Sequence, residues 1–168
     1  MEPVLVSACL LGEAVRFDGG DMRSDHAILQ RWIKEGRVVS VCPEVAGGLP
    51  VPRPRAEIAG GAGGAKVLAG SARAIDSNGR DVSAWLVNGA ERALAKTNQH
   101  GIRVAVLKEG SPSCGSGFIF DGSFSNTKVI DMGVTATLLT QNGVRVFSEH
   151  QLAEADALLK ELESGGAA

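Results

Sequence analysis

The chain has 168 residues, 44% hydrophobic and 21% charged, a balance that excludes a disordered composition. Lys and Arg number 17 against 19 Asp and Glu, for a formal charge of −2, so there is no basic footprint for a nucleic-acid polymer. The three cysteines, Cys9, Cys42 and Cys114, are an odd count that excludes a closed disulfide framework.

The first segment, MEPVLVSACLLGE, carries Glu2 and Pro3 ahead of an apolar run broken by Ser7 and Gly12. That pattern predicts a strand over 3–9 rather than a secretory leader. No run approaches the roughly 18 apolar residues of a membrane span, and unpaired cysteines suit a reducing cytoplasm. After Ser24, the apolar residues Ile28, Leu29, Trp32 and Ile33 repeat at helical spacing, with Gly36 as the stop. Residues 37–42 then predict a second strand, parallel to the first across a βαβ unit.

Residues 43–65 hold four of the six prolines and a Gly-rich tail. They predict a long loop, with 60–64 (GGAGG) as its disordered part. Residues 66–75 predict short strands paired around Gly70. Asp81 is the expected N-cap of a helix that carries Val82, Trp85, Leu86, Ala93 and Leu94 and ends near His100. Residues 102–107 (IRVAVL) are apolar but for Arg103, as in the centre of a parallel sheet. A second non-helical stretch follows. A short helix is expected over 134–141, a strand over 144–147, and a last helix opened by a Ser148–Gln151 capping box. That helix has the buried stripe Leu152, Ala155, Leu159 and Leu162.

Together these elements predict an α/β chain: a single-domain, three-layer, Rossmann-like fold with a mostly parallel sheet. One domain is expected over 1–162, with a flexible tail over 163–168. Nothing in the chain reads as a dimer motif.

In sheets of this kind ligands bind beyond the carboxyl ends of the strands. Cys9 ends the first predicted strand, Cys42 ends the second, and Cys114 lies in the loop after 102–107. A lone cysteine is often a small buried hydrophobe; three at one sheet edge raise a shared metal or cluster site beside that reading. His26, His100 and His150 all fall at helix ends, where they are more simply surface groups than a fourth zinc ligand. Three thiolates with an open position suit a four-iron cluster with one iron free of protein.

Four segments, SACLLGEAVRFDG (7–19), CPEVAGGLPVPRPRAE (42–57), LKEGSPSCGSGFIFDGSFS (107–125) and GVTATLL (133–139), resemble the thiouracil desulfurase family. The resemblance implies a [4Fe-4S] cofactor on Cys9, Cys42 and Cys114. It also implies a non-redox reaction in which the sulfur of a thiolated pyrimidine such as 2-thiouracil binds the free iron. Water then replaces that sulfur, and hydrosulfide leaves. Many members of the family carry a further Cys near the position of Val15, and Tyr where Phe17 and Phe120 stand here.

Water attack needs a base. Glu44, two residues after Cys42, is the expected acid/base, unless it caps a helix or pairs with Arg53 or Arg55. Ser111 is expected to contact substrate, unless it only shapes a Ser-Pro turn. Asp18 is either a second carboxylate or the closure of an Asp-Gly turn. Lys108 is either structural or a stabiliser of developing anionic charge. Gly47, Gly48, Gly115 and Gly117 are expected to let backbone N–H groups approach the cluster. The expected partner is a small thiolated base, with no nucleic-acid polymer and no membrane. Two other readings stand beside this one: a non-catalytic metal or cluster module serving a partner protein, and an enzyme with Cys114 as nucleophile.

Overall fold

The computed structural model describes residues 1–165. Its centre is a sheet of four parallel strands: β1 (Val4–Ser7), β2 (Val38–Val41), β5 (Val104–Leu107) and β8 (Arg145–Ser148). They lie in the order β2-β1-β5-β8. The two neighbours of β1 continue in opposite directions along the sheet, which puts a topological switch point beside it. This is the expected Rossmann-like α/β architecture.

Alternation along the strands builds the layers. Val4, Val6, Val104, Val106 and Phe147 face one way, onto Leu29 and Trp32 of α1 (Ala27–Lys34) and Leu152, Ala155 and Leu159 of α6 (Leu152–Ser164). Leu5, Ala105 and Leu107 face the other way, onto Ala93 of α4 (Ser83–His100) and Ala136 and Leu139 of α5 (Val134–Gln141). With few aromatics, the core is mainly aliphatic; beside Phe147 it holds the fully buried Trp32, whose Nε1 donates to Asp156 at 3.0 Å. Among the described residues no helix is long and apolar enough to cross a membrane.

The region expected to be one long loop is instead structured. Residues 43–68 form α2 (Pro43–Ala46), β3 (Ala56–Ile58), a 3₁₀ turn (Ala59–Gly61) and α3 (Gly64–Leu68). The paired strands expected over 66–75 are likewise replaced. The helix α3 occupies the first half, and β4 (Ala74–Asp76) pairs antiparallel with β3 instead. In the GGAGG stretch Gly60 and Gly61 take positive φ in the 3₁₀ turn with open space around them, whereas Gly63 and Gly64 form a close-packed junction. A Cβ on Gly63 would sit 2.1 Å from the Asp131 carboxylate, and one on Gly64 2.4 Å from the Gly133 carbonyl. The glycines here answer to left-handed backbone at 60–61 and to close approach of 131 and 133 at 63–64, so the stretch is ordered.

The Ser148–Gln151 capping box is half formed. Gln151 Oε1 accepts from the Ser148 N–H at 3.0 Å, while Ser148 Oγ accepts from His150 rather than from the helix. The N-cap of α4 is Val82 and not the expected Asp81, which lies one residue outside and accepts the Ser83 N–H at 2.9 Å in a local turn. Helix α6 runs through Ser164, two residues past the expected end of the domain; residues 166–168 of the expected tail lie outside the described residues.

Candidate functional site

Three adjacent strands each deliver one cysteine to the carboxyl edge. Cys9 lies in the 3₁₀ turn Ala8–Leu11 directly after β1. Cys42 caps α2 directly after β2, and Pro43 is pre-set for the first helical position. Cys114 lies in the loop that leaves β5. All three line one cavity of about 450 Å³.

Close backbone packing holds the two outer carriers. Helix α2 lies so near α4 that a Cβ on Gly89 would stand 2.0 Å from the Pro43 carbonyl, and one on Gly47 2.1 Å from the Trp85 carbonyl. The Cys114 loop docks on the start of α5. There the Val134, Thr135 and Ala136 N–H groups donate to the Pro112 and Ser113 carbonyls at 2.9–3.1 Å. These are the donors a helix N-terminus leaves without partners of its own. The buried Ser113 hydroxyl adds a 2.8 Å bond to Thr135. Segments far apart in sequence, 111–115 and 133–136, therefore act as one unit.

Burial dominates the thiols. It pushes Cys9 up to about 11, with Cys42 adding to the rise and Lys108 and Arg16 drawing it back. Cys114, beside the Ser7 hydroxyl, and Cys42 are also raised, again chiefly by burial. Each thiol opposes charge on another, so three thiolates together need a strongly cationic group among them. Among the described residues no three His, Cys, Asp or Glu side chains converge as a single metal ion requires. The three thiols instead line one cavity. Three soft sulfur donors around one space fit an iron–sulfur group, which Cys9, Cys42 and Cys114 would hold.

Glu44 and Ser111 also line the cavity and meet there. Ser111 Oγ donates to Glu44 Oε2 at 3.2 Å, and accepts from the Ser113 and Cys114 N–H groups at 3.0 and 3.2 Å. The other Glu44 oxygen accepts from Arg53 Nε at 3.1 Å. Arg53, 8% exposed, also reaches the Pro50 and Val15 carbonyls, fastening the 13–20 loop over the site. Glu44 thus combines both expectations: it is paired with Arg53, and it faces the cavity.

Asp18 is separated from this group. It is exposed, does not line the cavity, and accepts from the Gly20 N–H at 2.8 Å, which is the turn role. The glycines differ from expectation as well. Gly47 and Gly115 are required by backbone packing, Gly48 adopts φ 110°, the Gly117 N–H donates to Glu109, and none lines the cavity. The histidines lie elsewhere: His26 Nδ1 accepts from the Ile28 N–H at the start of α1, His100 ends α4, and His150 is exposed.

Sequence reasoning missed most of the outer wall. Phe118 and Phe120 meet edge to face, with centroids 5.9 Å apart. Lys128 lies 4.3 Å over Phe118, and Arg16 lies 5.6 Å from Phe17. These residues belong to loops and to the small hairpin of β6 (Ile119–Phe120) and β7 (Lys128–Val129), where no periodicity marks them. Glu109 is also new. Its Oε1 accepts from the Ser116 and Gly117 N–H groups at 2.8 and 3.0 Å, folding the turn behind Cys114.

A family model described as 2-thiouracil desulfurase matches residues 4–151. The chain is 43% identical over 149 residues to the uncharacterized protein YbbK of Bacillus subtilis (strain 168), covering 89% of this chain and 97% of that one. A solved structure of the [4Fe-4S]-dependent thiouracil desulfidase TudS superposes with a TM-score of 0.86 at 44% identity, covering 95% of this chain and 99% of that one.

Proposed function

The chain belongs to the 2-thiouracil desulfurase family, and from that premise we propose that it converts 2-thiouracil to uracil and hydrosulfide at a [4Fe-4S] cluster held by Cys9, Cys42 and Cys114. The observation that carries this is the single cavity shared by the three thiols and the Ser111–Glu44 pair. When bound, the cluster supplies one iron free of protein ligands, a Lewis acid toward the thiocarbonyl sulfur.

The chain's own groups do the rest. Ser111 Oγ, both lone pairs held by the Ser113 and Cys114 N–H groups, turns its one donor from Glu44 to the oxygen of the water that replaces sulfur at the ring carbon, and the freed Glu44 Oε2 takes that water's proton. Arg53 keeps Glu44 aimed by holding its other oxygen. Phe17, Phe118 and Phe120 line the cavity as an apolar wall that packs against a flat pyrimidine and excludes bulk water. The sum is thiouracil plus water giving uracil plus hydrosulfide and a proton, with no net electron transfer.

The substrate is a small thiolated base rather than a nucleic-acid polymer or a membrane component. Three free thiols suit a reducing cytoplasm. Their raised proton affinities weigh against Cys114 as a resting thiolate nucleophile. The test is anaerobic reconstitution followed by incubation with 2-thiouracil. Stoichiometric uracil and sulfide support the reading; an iron-loaded protein that releases neither overturns it.

A further inference from the structure

Lys108 and Glu149 sit side by side at the carboxyl ends of adjacent strands, because Leu107 and Ser148 are paired in register. Glu149 spans the gap between two segments. Its Oε2 lies 3.0 Å from Lys108 Nζ, and its Oε1 accepts from the Glu109 N–H at 2.8 Å. Lys108 Nζ also donates to the Glu109 carbonyl at 3.0 Å. Its backbone N–H donates to Ser7 Oγ at 2.9 Å, which pins it between β1 and β8.

An ammonium carries three donors, and two are accounted for here. The side chains are mostly sheltered, 22% exposed for Lys108 and 13% for Glu149, so the pair is screened less than a surface one. Lys108 lines the cavity, close enough for its charge to act on the Cys9 thiol, and Glu149 does not line it. A surface ion pair would need neither the shelter nor the backbone anchors.

We propose that Lys108 is a further catalytic residue, a fixed cation facing the sulfur that leaves, and that Glu149 is its positioning residue. The inference rests on the cluster reading above. Negative charge builds on sulfur as its bond to the ring carbon breaks, and a prepositioned ammonium stabilises that charge without reorganisation. The same cation acts on the group the cysteines hold, whose reduction potential responds to net charge nearby.

The test is the midpoint potential of anaerobically reconstituted protein. Lys108→Met removes a positive charge and lowers the potential, Glu149→Gln removes a negative one and raises it, and Lys108→Arg stays near the parent. Hydrosulfide binding, followed by the visible spectrum, weakens in Lys108→Met on the order of tenfold. Unshifted or same-sign potentials in iron-loaded variants overturn this inference alone. If Lys108→Met takes up no iron, Glu149→Gln decides: a raised potential supports the inference and an unchanged one overturns it. A parent protein that takes up no iron overturns the cluster reading itself.

Discussion

At the amino-terminal edge of the sheet, charges meet one another. Glu2 accepts from Arg103 at 2.9 and 3.1 Å, and Glu163 accepts from Arg37 at 2.7 Å and from the Glu2 N–H at 2.9 Å. Between α1 and α6, Asp156 gathers Arg31, Trp32 and Lys160. At the carboxyl edge the polar groups turn toward a shared space instead. Three thiols, Glu44, Ser111, Lys108, Arg16 and Lys128 all line the cavity, and neither Arg16 nor Lys128 has a carboxylate partner among the described residues. One edge closes the fold and the other exposes chemistry, although the same four strands feed both.

The contrast breaks most severely at the cysteines. Replacing Cys9, Cys42 or Cys114 singly by Ala is expected to abolish iron content and activity together, as read by iron assay and sulfide release. If only Cys114 proves essential, the site is a nucleophile's and not a cluster's. Next comes Glu44→Gln, which keeps the shape and the Arg53 contact but removes the base. It should lower kcat by about 10²–10⁴-fold, the usual worth of a positioned acid or base, with iron content unchanged; full activity in that variant would remove Glu44 from the mechanism.

The scaffold side is sharpened by pH. Arg31 and Trp32 hold Asp156 down to about 2 against burial, from an ordinary 3.8. A depressed carboxylate contributes stability above its unfolded value and loses it as pH falls through the folded one. Asp156→Asn should therefore cost about 2 kcal/mol at neutral pH, a difference that shrinks between about pH 4 and pH 2. Denaturant melts at the two ends of that range check it, and activity of the folded variant should be unaltered. The smallest effect belongs to Asp18→Ala. An exposed turn residue outside the cavity should change stability by no more than about 0.5 kcal/mol and leave kcat/KM alone.

Much of this was legible because it is local. The β-α alternation, the apolar 102–107 strand and the 134–141 helix follow from short-range periodicity, and once the strands are ordered the cysteines must share an edge. Glu44 was legible by its distance from Cys42. What remained hidden depends on approach between remote segments. Gly63 and Gly64 look like a flexible linker until Asp131 and Gly133 are seen against them. The pairing of β3 with β4 spans a helix, and the wall of Phe118, Phe120, Arg16 and Lys128 comes from loops and a hairpin of two-residue strands too short to show a period. Asp18 shows the converse: its proximity to a motif looked chemical, while its side chain only closes a turn.

The central claim, that three cysteines at one sheet edge hold one cluster, is tested most directly by metal analysis after anaerobic reconstitution. The account predicts about four irons and about four acid-labile sulfides per chain, falling together in each single Cys→Ala variant. One tightly held zinc, or a chain that retains no metal at all, would contradict it.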